Sequence, residues 1–265
     1  MLTLRRSDAQ LFYEVTGKGP PVVLLHPFPL NHNFWMPIAE QLSSRYRLVL
    51  PDLRAHGESE LGEGPATMQK MATDLAVLCR EEGITRAFFV GVSIGGYVLF
   101  EFWRRYRDHV GALVLANTRA AADSPQGRAD RLAVADQVLH EGTARFVEGL
   151  LAKLMSPATV NNRPDIVESA RRMMQQMSPQ KIAAVQQGMA DRPDSVPTLK
   201  TIQVPTFIIT GEDDSVPRAE VELMRQQISG SRLQVIAHAG HYAALEQPEE
   251  FAAIVRRFLD HLPRP

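Results

Sequence analysis

Strand and helix patterns alternate along most of this 265-residue chain, and this alternation constrains the fold more than any other feature. Short apolar runs that end at Gly, Pro or Asp are typical of buried strands. They alternate with longer stretches in which apolar residues recur every three or four positions, as in amphipathic helices. The spacing is that of strand–helix–strand units, so it predicts an α/β fold with a mostly parallel sheet covered by helices on both faces.

The predicted elements fall into two groups. Strands are predicted at residues 11–15, 22–25, 47–50, 87–92, 112–115, 206–210 and 233–236. Helices are predicted at residues 33–44, 67–82, 94–107, 218–228 and 248–262, and the last of these begins with a proline at its first position.

The middle of the chain has a different pattern, because no convincing strand is found from residue 119 to about 203. Helical apolar stripes occur instead at residues 146–154 and 166–177, and a third helix is predicted to begin at Ser178-Pro179. A segment of this length is too long for a plain loop. We therefore expect a helical cap at 119–203, inserted into a core domain formed by 1–118 and 204–265.

Composition excludes several classes of function. The chain has 29 Lys and Arg against 30 Asp and Glu, so no basic surplus is present to bind nucleic acid. A single cysteine, Cys79, excludes an internal disulfide and a cysteine-based zinc cluster. No apolar run is long enough to span a bilayer, and the N-terminal residues lack the apolar core of a signal peptide. A cytoplasmic protein with no membrane partner is the expectation.

The segment GVSIGG at residues 91–96 is the strongest local sign of chemistry. It follows a predicted buried strand and opens a predicted helix. A serine hydroxyl is a poor nucleophile unless it is held beside a base, and a tight strand-to-helix turn exposes it at the top of the sheet. Such a turn brings the two backbones close together, so small residues are needed two positions before and after the serine. Ser93 is therefore the predicted nucleophile.

With these residues the sequence resembles the α/β-hydrolase family over nearly its whole length. The resemblance implies an eight-stranded sheet with a cap after the sixth strand, and a triad in the chain order serine, acid, histidine. His241 matches the histidine, because it follows the last predicted strand in an Ala-Gly-His segment. The family's Gly-x-x-Asp spacing favours Asp214 as the acid. The distance to Pro217 is one residue shorter than usual, which leaves Asp213 as an alternative.

The resemblance also implies where the negative oxygen of the reaction intermediate would be bound. The family uses the backbone N–H of the residue after the nucleophile, here Ile94, and a second N–H from the loop after the third strand. That loop reads His-Pro-Phe-Pro at residues 26–29, and proline has no N–H, so Phe28 is the donor among the last three residues. Residues 52–59 resemble a family loop whose role is structural.

Four residues are predicted to line a substrate pocket. Half of the ten methionines lie in the predicted cap, and Met155 and Met177 are the candidates from it for an adaptable apolar pocket. Trp35 is a candidate because it follows the 26–29 loop closely. Arg119 lies just after the sixth strand and is placed to meet a substrate carboxylate.

These residues predict a serine carboxylesterase that acts on a small-molecule ester or lactone through an acyl-enzyme, with no metal or other cofactor. Within the family, the sequence looks most like the branch of carboxylesterases and 3-oxoadipate enol-lactonases. An enol-lactonase, a cofactor-free haloperoxidase or perhydrolase, and a weakly catalytic small-molecule receptor are alternatives that the same residues allow.

Overall fold

The computed structural model describes residues 2–265, and within them eight strands form a single sheet. The strands are β1 (Leu2–Arg5), β2 (Gln10–Thr16), β3 (Pro21–Leu25), β4 (Arg47–Pro51), β5 (Ala87–Val92), β6 (Val110–Ala116), β7 (Thr206–Gly211) and β8 (Arg232–Ile236). Their order across the sheet is β1-β2-β4-β3-β5-β6-β7-β8. The β1–β2 and β2–β4 pairs are antiparallel and all other pairs are parallel.

Helices connect the parallel strands. They are α1 (Met36–Leu42), α2 (Met68–Glu81), α3 (Ile94–Tyr106), α4 (Pro125–Glu141), α5 (Ala144–Leu154), α6 (Pro157–Asn162), α7 (Pro164–Gln175), α8 (Pro179–Ala190), α9 (Val196–Leu199), α10 (Arg218–Gln227), α11 (Ala243–Glu246) and α12 (Pro248–Asp260). Across residues 2–265, no helix has both the length and the apolar character that crossing a membrane requires.

The central strand β5 is buried along its whole length, because both faces of the sheet are covered. Phe89 points into a cluster that contains side chains of α2 and α3. Phe88 and Val90 point into a second cluster on the opposite face, with side chains of α1 and α12. Such burial on both faces explains why the parallel strands are continuous apolar runs rather than alternating ones. The predicted α/β fold with a mostly parallel eight-stranded sheet is confirmed.

The elements differ from the predicted ones in several places, and the short helices α6, α9 and α11 were not predicted. Strand β1 was not predicted, because it has four residues and only Leu4 among them is buried. The predicted helix 33–44 is a 3-10 helix, His32–Trp35, followed by α1, and the side chain of Asn31 accepts a hydrogen bond from the N–H of Asn33 at its start. Helix α4 was not predicted either, because only two of its side chains are buried and its apolar stripe is weak.

The six helices α4–α9 lie between β6 and β7 in the chain. Several of them begin at a serine followed by proline, and at α8 the side chain of Ser178 accepts a hydrogen bond from the N–H of Lys181, as an N-cap does. Helix α8 packs closely against α4. The carboxyl ends of β5, β7 and β8 face the loops that carry the predicted site residues, as is general for open parallel sheets.

Candidate active site

Ser93 occupies a strained turn between β5 and α3. Its backbone has φ 54° and ψ −114°, a left-handed conformation that is unfavourable for a residue with a Cβ. The turn also brings the backbones of β5, α3 and β3 close together. A Cβ on Gly91 would lie 2.6 Å from the carbonyl carbon of Gly95, and a Cβ on Gly95 would lie 2.5 Å from the carbonyl oxygen of Leu25. The glycines of the GVSIGG segment are therefore required by packing, and the turn holds the hydroxyl of Ser93 at the sheet edge.

The structure brings Ser93, His241 and Asp214 together at this edge. Nε2 of His241 lies 2.8 Å from Oγ of Ser93, and Nδ1 of His241 lies 2.7 Å from Oδ1 of Asp214. An ionised carboxylate only accepts hydrogen bonds, so Nδ1 carries the proton and Nε2 is left as the acceptor for the serine hydroxyl. Asp213, the alternative acid, is exposed, and the carboxylate that contacts His241 is that of Asp214. Side chains in this order can serve as a nucleophile, its base and the group that orients the base.

The carboxylate of Asp214 is held by three further contacts. Its Oδ2 accepts hydrogen bonds from the side chains of Asn117 at 2.8 Å and Thr210 at 3.1 Å, and its Oδ1 accepts one from the N–H of Val216 at 3.1 Å. Burial on its own would raise the pKa of Asp214, but the adjacent His241 and these donors outweigh it and lower the pKa below its usual range. The carboxylate of Asp214 is therefore ionised at neutral pH and places a negative charge beside His241.

Comparison with known proteins agrees with this geometry. A family model described as the alpha/beta hydrolase fold matches residues 20–248. The chain belongs to the α/β-hydrolase family. A thermophilic esterase from Thermogutta terrifontis, solved with malate bound, is 38% identical, covers 98% of both chains and superposes with a TM-score of 0.95. The family relationship, with the esterase and lactonase names of its relatives, supports a hydrolase.

Two relatives of this α/β-hydrolase are named as enol-lactonases. The 3-oxoadipate enol-lactonase 2 of Acinetobacter baylyi is 26% identical, and the alignment covers 97% of each chain. The enol-lactonase of Burkholderia xenovorans is 26% identical over 96% of this chain and 97% of its own, with a TM-score of 0.89. The likeness thus extends over the helices between β6 and β7 as well as the sheet.

Two backbone N–H groups are available beside the hydroxyl of Ser93. Within residues 2–265, neither the N–H of Ile94, at the first position of α3, nor that of Phe28 donates a hydrogen bond to another protein group. Ile94 is completely buried and Phe28 nearly so. Buried N–H groups are rarely left without an acceptor, so both are suited to a negative oxygen formed on a bound substrate.

The loop that carries Phe28 is fixed by its neighbours. The ring of Phe28 packs edge-on against the ring of His56 at 5.7 Å, and its carbonyl accepts a hydrogen bond from the hydroxyl of Tyr242 at 3.2 Å. His56 belongs to the 52–59 loop, where the carboxylate of Asp52 accepts bonds from the N–H groups of His32 and Glu58. The 52–59 loop therefore supports the loop that carries Phe28.

A cavity of about 260 Å³ opens above the serine. Ser93, His241, Phe28 and other residues of the core line it together with side chains of α4, α5 and α8. Arg119 is one of the lining residues. The cavity is therefore closed on one side by helices that follow β6.

Trp35, Met155 and Met177 do not line this cavity, which corrects their prediction as pocket residues. Trp35 is completely buried, because the 3-10 helix turns its ring inward against Phe34 and Phe251. Met155 and Met177 are buried in the two apolar clusters that flank the sheet and its helices. Methionine in a helical segment packs a core more often than it lines a site, and these two do so.

Glu246 is a buried residue of the site that the sequence analysis did not single out. Its Oε1 accepts hydrogen bonds from the N–H groups of Gly240 at 3.0 Å and Tyr242 at 3.2 Å, the two neighbours of His241. Its Oε2 accepts one from the N–H of Ser156 at 2.8 Å. Glu246 thus ties the loop that carries the histidine to the segment after α5. The only sequence signal was its place two residues before the proline that begins α12.

We expect Glu246→Gln to lower the free energy of unfolding by roughly 1–3 kcal/mol, because one carboxylate oxygen becomes an NH₂ group facing a backbone N–H. Denaturation in urea measures this difference, with Glu249→Gln as the control because Glu249 is exposed three residues later. Equal stabilities of the two variants would contradict the role assigned to the buried carboxylate.

Proposed function

We propose that this protein is a carboxylic ester hydrolase that uses Ser93 as nucleophile, His241 as general base and acid, and Asp214 to orient the histidine. The observation that supports it most strongly is the pair of contacts made by His241, 2.8 Å to the serine oxygen and 2.7 Å to the carboxylate. Distances of this size allow proton transfer without rearrangement. The malate-bound esterase relative agrees with the proposal.

In the first half of the reaction, Oγ of Ser93 attacks the ester carbonyl carbon while its proton passes to Nε2 of His241. The carbonyl oxygen becomes negative and is held by the N–H groups of Ile94 and Phe28; loss of one such donor typically costs about 3 kcal/mol of transition-state stabilisation. The bond to the alcohol oxygen then breaks, and that oxygen takes the proton from Nε2. The alcohol leaves and the acyl group remains on Ser93.

In the second half, water takes the place of the alcohol. It attacks the acyl carbon and gives its proton to Nε2 of His241. The bond to Oγ of Ser93 then breaks, and Oγ takes the proton back. The carboxylic acid leaves, and the enzyme returns to its starting state.

Lactone hydrolysis is a second candidate, favoured by the two relatives that are named enol-lactonases. The steps at Ser93 and His241 are the same. The difference is that the leaving oxygen stays attached to the acyl chain, so a single hydroxy acid is released after water attack.

A series of 4-nitrophenyl esters of increasing acyl length tests the proposal. A cavity of about 260 Å³ is at the small end of ligand pockets, which are typically about 300–1,000 Å³. We therefore expect kcat/KM to be highest for short acyl chains and to fall for long ones. Negligible turnover of every ester would contradict the proposal and favour a receptor. Peroxide-dependent bromination faster than ester hydrolysis would favour a haloperoxidase.

A further inference from the structure

The cavity above Ser93 has a positively charged side. Arg119, Arg131 and Lys153 all line it, and no aspartate or glutamate of residues 2–265 does so. Arg119 follows β6, Arg131 comes from α4 and Lys153 from α5, so three separate segments contribute charge to one place. A cavity with cations on its wall and no lining carboxylate attracts negatively charged ligands.

The arginines behind this wall share one carboxylate. Asp123 forms ion pairs with Arg119, with Arg131 at 2.5 Å and with Arg192 at 2.6 Å. Burial would raise the pKa of Asp123, but hydrogen bonds from Arg192 and Arg131 outweigh it and lower the pKa to about 2. Arg192 also stacks on the ring of Tyr97, 4.3 Å from the ring centroid. The guanidinium groups are thus held in place before any ligand binds.

Positive charge remains after these pairs are counted. Four cations stand against three carboxylates, because Glu220 is a second acid near Arg119 and Asp214 lies beside His241. Within residues 2–265, Lys153 has no ion-pair partner. A guanidinium has five N–H donors, and Arg119 and Arg131 use only some of theirs on protein acceptors. Donors and positive charge are therefore left over among residues that line the cavity.

We infer that the substrate carries a carboxylate at the end of the chain away from the scissile bond, and that Lys153, Arg131 and Arg119 bind this carboxylate. The inference rests on the proposed function for the position of the carbonyl at Ser93. The substrate class is then a half-ester of a dicarboxylic acid, or a lactone with a free carboxylate, rather than a simple alkyl ester.

Two esters matched in length test the inference. 4-Nitrophenyl valerate ends in a methyl group, and the mono-4-nitrophenyl ester of glutaric acid has the same number of acyl carbons but ends in a carboxylate. We expect wild-type kcat/KM to be roughly tenfold or more higher for the glutarate ester, since charge-assisted hydrogen bonds are the strong ones. Succinate and adipate half-esters then locate the best chain length.

Substitution of the cations supplies the decisive comparison. We expect Lys153→Glu to lower the ratio of the two kcat/KM values by roughly tenfold, because an attractive charge becomes a repulsive one. Arg131→Gln lowers it in the same direction and serves as a second variant if the first folds poorly. Arg145→Gln is the control, because Arg145 lies on the same helix as Lys153 and its side chain is 84% exposed. We expect this variant to keep the wild-type ratio of the two kcat/KM values.

Binding of glutarate to the Ser93→Ala protein, measured by calorimetry with and without Lys153→Glu, separates this inference from the proposed function. The carboxylate site would be overturned if the two matched esters were hydrolysed at equal rates and Lys153→Glu left glutarate binding unchanged. The proposal of an ester hydrolase would then still stand. The proposal of an ester hydrolase would be overturned if the wild-type protein hydrolysed neither ester. If glutarate binding still depended on Lys153, the carboxylate site would stand.

Discussion

Ser93→Ala is expected to lower kcat for ester hydrolysis by about 10⁴-fold or more, because removal of the nucleophile in enzymes with this triad leaves only the contribution of the oxyanion donors and of substrate binding. The hydroxyl of Ser93 is 2.8 Å from Nε2 of His241, and no other serine hydroxyl is hydrogen-bonded to that nitrogen in residues 2–265. Alanine can occupy the same backbone conformation at a similar cost, so the fold is expected to remain.

Initial rates with a short 4-nitrophenyl ester measure this loss. Ser229→Ala is the matched control, because Ser229 is an exposed serine in the loop after α10 and its variant should retain wild-type kcat. Thermal unfolding of both variants checks that the loss is chemical. Comparable activity in Ser93→Ala and wild type would remove the basis of the proposed mechanism.

Asp214→Asn is expected to lower kcat by about 10⁴-fold, as loss of the triad acid does where the histidine is left in the wrong tautomer. An asparagine can present its NH₂ group to Nδ1 of His241. Nδ1 must then accept a hydrogen bond, so the proton moves to Nε2, which can no longer take a proton from Ser93.

The pH dependence of the free energy of unfolding should change in Asp214→Asn as well. The folded pKa of Asp214 is lowered, so its contribution is present above the unfolded pKa of about 3.9 and is lost as the pH falls through the lower folded value.

Asp213→Asn is the matched control for the acid. The two residues are adjacent, carry the same charge and receive the same substitution, but only Asp214 contacts His241. We expect Asp213→Asn to retain most of the wild-type kcat in the same ester assay. A larger loss in Asp213→Asn than in Asp214→Asn would show that the acid is assigned to the wrong residue.

Those parts of the fold and of the candidate site that depend on neighbouring residues could be predicted from the sequence. The turn at Ser93 is an example, because the small residues that it needs are two positions away and their collisions are with the adjoining strand and helix. The seven predicted strands likewise follow from local apolar runs, and each lies within two residues of its predicted ends. Strand β1 and helix α4 bury few side chains, so their patterns carried too little signal.

The pocket could not be predicted in the same way, because its residues come from helices whose packing is set by the whole fold. Trp35 was expected there from its closeness in sequence to the 26–29 loop, but a 3-10 helix turns it into the core. Arg131 and Lys153 lie on helices that pack against different neighbours, and no sequence pattern relates them to Ser93.

The sequence by itself determined seven of the eight strands and the serine turn, because these depend on periodicity and on residues next to one another. The order of serine, acid and histidine along the chain came from the family resemblance. Only the tertiary structure decided which of two adjacent aspartates reaches His241, that Glu246 ties the histidine loop to the segment after α5, and that three cations meet at the cavity. Side-chain direction and the approach of distant helices depend on how the whole core packs, and no single stretch of the chain contains that information.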